Sequence, residues 1–597
     1  MQGKLAEAMA ELLFDDSVAW YHKIKLERDD SDDTSCYDAS LAWRICYFIW
    51  QRGNMDVLRS CLQLIFKLRL IHTTLKDSLQ AIQYACSLTD VVPDGSTIII
   101  STGAWTFLEA LLEDNLEHVD FDLKQNLTAF VLQSWHEHRI SRVSLIDRRE
   151  HSMLNILRCL HDHVILFSAE KVMADLNDDV LSLKAEPEYV IAALRLMLSL
   201  LSTDDKGLRL LSFHCENFLS TAHQALQLYV ETPFMSHSPN DKQLSPLIVA
   251  LFTIGSVVLL GFDANEDGDD SYRHFNCSVS DTLYGLIKLL MTEKLPSFKS
   301  NEIREIPSSI RAQAFLTMGK ICLRNKRCAK ENIHLFLREL QNKNFGNDYV
   351  RSNAVFVLAD ICKRNTSIVE PYMDTLFDCL HDTSAIVKRN TLIVVSQLLS
   401  QDFIQWKPLL IMRLLVCLVD DSQEYMDFAQ SILHKLMGLK SNSFYSSYIS
   451  ELILVLNKCH SHPLIKASLP SYSNFSSETH GQLNHRKRYH IYSFILADIS
   501  EEEKISITAK IISDIISDIL EHPDLLAASR ALSSTECVLD DIFYLLECPE
   551  LKVGLKGAST YDDDELMSTQ EQSKREIVAQ AKAKVIECIP KRLFTIS

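Results

Sequence analysis

The stretch YVRSNAVFVLADICKRN, Tyr349 to Asn365, carries an apolar stripe with helical spacing, flanked by basic residues at both ends. Forty residues earlier the chain reads SIRAQAFLTMGKICLRN, and thirty-seven later it reads IVKRNTLIVVSQLLSQD. Aligning Ile310, Val350, Val387 and Tyr425, at separations of 40, 37 and 38 residues, brings Ala314, Ala354, Thr391 and Ala429 into register. Ile321, Ile361, Leu398 and Leu436 form a further column. Arg311, Arg351 and Lys388 follow the first column, a basic series that Met426 breaks. Another amphipathic segment precedes each unit, such as ENIHLFLREL (331–340) or EPYMDTLFDCL (370–380).

A two-helix unit of this period is the pattern of a HEAT repeat. A lone hairpin leaves an apolar face uncovered, so it is stable only when stacked on a neighbour. The small residue of the alanine column lets paired helices approach closely. The expected fold is all-α: a HEAT-repeat α-solenoid, an armadillo-like superhelix. The clear repeats occupy 301–440. Residues 1–300 read as degenerate helical repeats, and 441–556 as C-terminal helical repeats with a polar loop at 468–488. Residues 557–597 read as an acidic linker and a terminal helix.

Composition points the same way. The 597 residues are 47% hydrophobic, ample for a large core, with only 15 glycines and 14 prolines. Sheet proteins use glycine freely in tight turns, so its scarcity favours helices. The net charge of −19 argues against indiscriminate binding to DNA or acidic lipid, and any polyanion contact needs a local basic patch. Sixteen cysteines lie scattered through apolar segments with no CxxC pair, as expected of buried thiols in a reducing compartment. The N-terminal MQGKLAEAMAELLFDD is amphipathic and acidic, unlike a signal peptide. PLIVALFTIGSVVLLGF (246–262) is short for a membrane span and reads as a buried helix.

The basic residues have two readings. In one, an aspartate in a turn and a basic residue in the next helix bond as a ladder between repeats, a role suited to Asp348, Arg351, Asp382 and Lys388. In the other, they bind nucleic acid. Pro307 to Lys330 holds six basic residues (Arg311, Lys320, Arg324, Lys326, Arg327, Lys330) and no acidic one. Stacking would bring Lys363 and Arg364 alongside 324–327, a ridge able to neutralise several phosphates. A second basic knot, HRKR at 485–488, is expected in a loop.

Other candidates fail on chemistry. DANEDGDD from Asp263 starts like a calcium loop, but its twelfth position is His274 where a bidentate glutamate belongs. HEH (136–138) and HDH (161–163) put their rings on different helix faces. No metal site, cofactor or small-molecule substrate is expected. No GxxxxGK[ST], GxSxG, HExxH or GxGxxG occurs, so no catalytic function is expected.

The repeat block through QDFIQWK resembles the condensin subunit-1 family, the D-type HEAT subunits of the condensins. Phe403, Trp406 and Lys407 fit the condensin II pattern. So does NHRKRYHIYSFILADISEEEKISITAKI, with Arg488, Tyr489 and Tyr492 in place, followed by LLAASRALSSTECVLDDIFYLLECPEL. The resemblance covers roughly residues 300 to 550. It implies a non-catalytic subunit acting in mitotic chromosome condensation, in the nucleus and on chromosomes. Its implied partners are a kleisin, an SMC ATPase pair, a second HEAT subunit and double-stranded DNA. A transport adaptor or a phosphatase or kinase scaffold is the alternative for such a solenoid.

Overall fold

Helices form where the apolar stripes predict them, and capping side chains set their starts. Asn347 accepts from the backbone N–H of Tyr349 at 3.0 Å and of Val350 at 3.3 Å, opening the helix of the quoted stretch. Ser280, Ser422 and Asn484 cap three others in the same way. The computed structural model describes residues 2–30, 41–52, 55–70, 75–88, 96–140, 149–167, 169–202, 204–231, 241–260, 278–296, 303–343, 346–438, 448–457, 459, 462–468, 483–497, 501–517 and 533–548. These are overwhelmingly helical, as the repeat pattern requires. The exception among them is a two-stranded antiparallel ribbon, β1 (Lys294–Pro296) with β2 (Ile303–Glu305), in register Lys294↔Glu305.

The chain divides into two compact units, Met1–Cys328 and Ala329–Ser597. The helix Ser308–Arg324, which opens the clear repeats, belongs to unit 1. In that unit, α1 (Ser96–Asn115) packs against the helix Leu41–Gln51 and against α2 (Arg149–Cys159). Trp43, Trp105 and Trp135 are fully buried there. Gly103 permits the close approach, since a Cβ at that position would lie 2.3 Å from the carbonyl oxygen of Trp43. Further along, α3 (Asp241–Leu259), α4 (Asp281–Leu290) and α5 (Ser308–Arg324) pack together.

The apolar run of 246–262 falls largely in α3, where Leu247, Ala250, Leu251, Ile254, Val257 and Val258 are buried. The leucine, isoleucine and valine side chains among them each stabilise a fold by roughly 1.5–3 kcal/mol when fully buried. Among the described residues, no helix is long and apolar enough to cross a membrane.

The helix α6 (Lys326–Gln341) runs through the division. Unit 2 stacks α7 (Asp348–Arg364), α8 (Ala385–Ser400) and α10 (Gln423–Met437) in sequence, with α9 (Pro408–Val416) preceding α10. The register columns behave as small-to-medium core positions should: Val350, Ala354, Val387, Thr391 and Ala429 are all fully buried. Further on, α11 (Ile449–Leu456), α12 (His485–Leu496) and α13 (Ser533–Glu547) complete the elements used below. The basic knot at 485–488 is therefore the first turn of α12, not a loop. Asn484 nucleates it by accepting from Lys487 N at 2.9 Å.

Candidate nucleic-acid interface and ion-pair clamps

Stacked hairpins place the start of one second helix beside the turn of the next repeat, and ion pairs follow from that geometry. Arg351, in the first turn of α7, donates from Nη2 to Asp382 Oδ1 at 3.0 Å and to Asp348 Oδ1 at 2.9 Å, and from Nη1 to Gly346 O at 2.7 Å. The side chains of Arg351 and Asp382 are 1% and 0% exposed. Lys388 donates to both carboxylate oxygens of Asp420, at 2.8 and 2.7 Å, and lies over the Tyr425 ring. Asp382 thus bonds back to Arg351, while Lys388 reaches forward to Asp420, which the sequence reading did not single out.

A further clamp was hidden in an apolar run. Arg413, within α9, is buried yet ion-paired to Asp374 at 3.3 Å and Asp378 at 3.0 Å. The signal for it is an arginine among PLLIMRLLV, since a buried guanidinium requires partners. In unit 1 an equivalent arrangement joins Arg139 to Asp175 at 2.6 Å and to Asp179 at 3.0 Å.

The basic residues of 307–330 separate into different environments. Arg311 is buried, and its Nε donates to Met291 O at 3.3 Å, so it is not displayed to a polyanion. Lys320 lies in a slot against α3, its Nζ 4.3 Å from the Phe252 ring centroid and 3.4 Å from Ser256 Oγ. Desolvation lowers its pKa to about 8, so it too leaves the displayed set. Arg324 is half-buried at the end of α5, where a cation meets the negative end of the helix dipole. Lys326, Arg327 and Lys330 are exposed along α6. Lys363 and Arg364 are half-buried in the last turn of α7 in unit 2, with Lys363 3.5 Å from Asp360.

The residues carrying the condensin II features do structural work. Beyond α8, Asp402 takes a left-handed φ of 55°. Phe403 N then donates to Leu398 O at 2.9 Å, and Asp402 N to Leu399 O at 3.2 Å, a helix-closing pair of bonds. Trp406 follows half-buried, and exposed Lys407 precedes Pro408, the first residue of α9.

Arg488, Tyr492 and the second family segment meet at one buried carboxylate. Asp541 on α13 receives Arg488 Nε at 2.7 Å and Nη2 at 2.9 Å, Tyr492 OH at 2.8 Å and Asn457 Nδ2 at 2.6 Å. Asp541 and Tyr492 are fully buried, and burial beside Asp541 pushes the Tyr492 phenol well above its usual range. On the same helices Tyr489 stacks on Tyr544, ring centroids 3.8 Å apart and 3° from parallel.

The remaining candidates carry little chemistry. Among the described residues no cluster of three or more His, Cys, Asp or Glu side chains has metal-binding geometry. His136 instead faces Asp175 at 3.5 Å. The acidic loop from Asp263 to His274 lies outside the described residues. Burial pushes the thiols of Cys46, Cys322, Cys379 and Cys417 up to about 12, which keeps them protonated and unreactive. An apolar cleft lined by Ile411, Met412, Leu415, Tyr448, Leu452 and Ile495 encloses about 10 Å³, room for no more than one water.

Comparison with known proteins places this architecture. Residues 349–518 match the family described as non-SMC mitotic condensation complex subunit 1. Residues 286–340 match the HEAT repeats of the condensin-2 complex subunit D3-like family. The condensin-2 complex subunit CAP-D3 of Arabidopsis thaliana is 29% identical over 338 residues, 54% of this chain and 24% of that protein. The condensin-2 complex subunit D3 of Mus musculus is 28% identical over 300 residues, 48% of this chain and 19% of that protein. The crystal structure of the S. pombe condensin Cnd3–Cnd2 subcomplex is similar with a TM-score of 0.40 and 14% identity, covering 85% of this chain and 69% of that one. The matched portion is therefore about a fifth to a quarter of these curated relatives' length. The resemblance to the D-type HEAT subunits of the condensins is borne out.

Proposed function

We propose that this chain, a relative of the condensin-2 D3 subunits, is a non-catalytic HEAT-repeat subunit of a condensin II assembly acting in mitotic chromosome condensation. In this reading it binds an extended kleisin segment, meets the SMC ATPase pair during the ATP cycle, and lies beside a second HEAT subunit. It contacts duplex DNA and works in the nucleus on chromosomes. The observation that carries the reading is that the family-matched span coincides with the clamped repeats. Arg351, Lys388 and Arg413 all lie between 349 and 518 and tie successive repeats together. Repeats fastened in this way form a stiff platform, suited to holding other chains at fixed spacing.

For DNA we assign the end of α5 and the start of α6. Arg324, Lys326 and Arg327 are at least partly exposed, in a segment without an acidic neighbour in sequence from Pro307 to Lys330. The contact is electrostatic and sequence-independent.

The experiment is affinity capture from nuclear extract with identification of partners. Recovery of an SMC pair with a kleisin supports the reading; recovery of transport cargo, clathrin or a phosphatase overturns it. For DNA, Lys326→Glu with Arg327→Glu should weaken duplex binding. Loss of two phosphate contacts should reduce the slope of log K against log salt by roughly 1.8. Unchanged binding and slope would remove this surface from the assignment.

A further inference from the structure

The longest helix among the described residues, Asp205–Glu231, has 27 residues and lies wholly in unit 1. Leu211, Phe218 and Leu226 are buried on the side that packs on the helix Pro187–Leu201 and on α3. The opposite side is open: Leu210 is 46% exposed, Phe213 57% and Leu228 69%. A lone exposed leucine is ordinary. These follow a pattern. Leu210 and Leu228 are 18 residues apart, which at 3.6 residues per turn sets both on the same edge of the exposed strip. Leu219 and Ser220 mark the midpoint between them, and Ser220 is exposed. Charge is split along the strip, with exposed Lys206 and Arg209 at its start and exposed Glu231 at its end. No basic residue stands in the last turn to offset that glutamate, which meets the negative end of the helix dipole. Gln227 Nε2 holds it in place, donating to Glu231 Oε1 at 2.7 Å.

We propose that this strip is a self-association surface, occupied by the same helix of a second copy of this chain, antiparallel about a two-fold axis beside Ser220. In such a pair each residue faces the one equally far beyond the midpoint on the same edge, and every contact occurs twice. Leu210 of each copy meets Leu228 of the other. Phe213 lies on the methylenes of Gln224. Lys206 and Arg209 meet Glu231 at both ends, supplying the cations that the last turn lacks. Ser220 faces itself at the axis and is small enough for the helices to close to about 8–10 Å. Asp205 stands about a quarter turn round the helix from Glu231 and so lies off the strip. A parallel pairing would set Glu231 on Glu231 and Arg209 on Arg209, so charge selects the antiparallel one.

The size of the strip sets the strength. A helix of this length spans about 40 Å, and a face about 10 Å wide buries roughly 400 Å² on each copy. The total of roughly 800 Å² is below the ~1,200–2,000 Å² of a stable interface, so the pair is weak, with a Kd of about 100 µM. It forms where copies are crowded together, and it needs neither a kleisin nor DNA.

The test is sedimentation equilibrium of the whole chain up to about 200 µM, where a Kd of about 100 µM gives a weight-average mass about 1.6 times that of the monomer. Ser220→Arg sets two like charges at the axis. The position is exposed and arginine favours a helix, so the fold should persist, as judged by circular dichroism. The mass of that variant should fall to within about a tenth of the monomer's, because like charges facing each other suppress a pairing. Glu231→Arg places like charges at both ends and should weaken association about tenfold. Adding Lys206→Glu and Arg209→Glu to it restores opposite charges and should return the Kd to within about threefold of the native value. A monomer at the highest concentration overturns the proposal. So does an association that Ser220→Arg leaves intact, or a triple variant that associates no more tightly than Glu231→Arg.

Discussion

The substitution Asp541→Asn puts the buried centre of unit 2 to the test. The native carboxylate accepts four hydrogen bonds, three on Oδ2 and one on Oδ1, from Arg488, Tyr492 and Asn457. An amide keeps the shape but turns one acceptor into a donor. In either orientation an NH2 group then faces a donor: Arg488 Nη2 on one side, or Arg488 Nε, Tyr492 OH and Asn457 Nδ2 on the other. The Arg488 charge, 4% exposed, loses its counter-ion. Leaving a buried charge unpaired costs about 3–5 kcal/mol. Hydrogen exchange by mass spectrometry reads the effect locally, in peptides covering His485–Leu496 and Ser533–Glu547. Protection of those amides should fall by roughly 10² to 5 × 10³-fold, because each 1.36 kcal/mol is about tenfold. Tyr492→Phe, which removes one donor and leaves the ion pair, should cost only about 1.5–3 kcal/mol. A double variant, Arg488→Met with Asp541→Leu, should recover much of the loss, since apolar replacement of a buried pair is often near neutral. If Asp541→Asn lowers protection less than threefold, the pair is not holding α12 to α13.

The ladder should respond according to burial. Asp382→Ala, which strips the fully buried rung, should destabilise unit 2 by about 3 kcal/mol in urea unfolding, while Lys388→Ala at the more solvated rung should cost about 1 kcal/mol; equal losses would contradict the geometry. Two glycines should behave oppositely in thermal melts. Gly103→Ala drives a Cβ into the backbone of Trp43 and should destabilise unit 1 by about 1–3 kcal/mol, whereas Gly285→Ala meets nothing within 4 Å and should stabilise by up to about 1 kcal/mol. Cys46 and Cys417 should resist iodoacetamide at pH 8 in the native protein and react once urea unfolds it; rapid native labelling would show that these thiols are not buried as described.

The acidic and basic residues mark where sequence reading stopped. Asp348, Arg351, Asp382 and Lys388 were recognisable as ladder residues, because a charged side chain at a fixed offset in a repeat is a local regularity. Their pairing was not recognisable. Asp382 serves the arginine 31 positions behind it, and Lys388 the aspartate 32 positions ahead. Arg488 was visible within its motif, but Asp541 lies 53 residues away and nothing in between announces the bond. Lys320 looked like its neighbours Arg324 and Lys326, and only the placement of Phe252 and Ser256 distinguishes it.

What the chain alone determined was the class of structure and its repeat length, because helical periodicity, caps and the spacing of small core residues act over a single turn or hairpin. Tertiary packing alone decided which charges are hidden and which are displayed. An ionisable side chain takes its chemistry from the water it loses and the partner it meets, and both are set by segments distant in sequence.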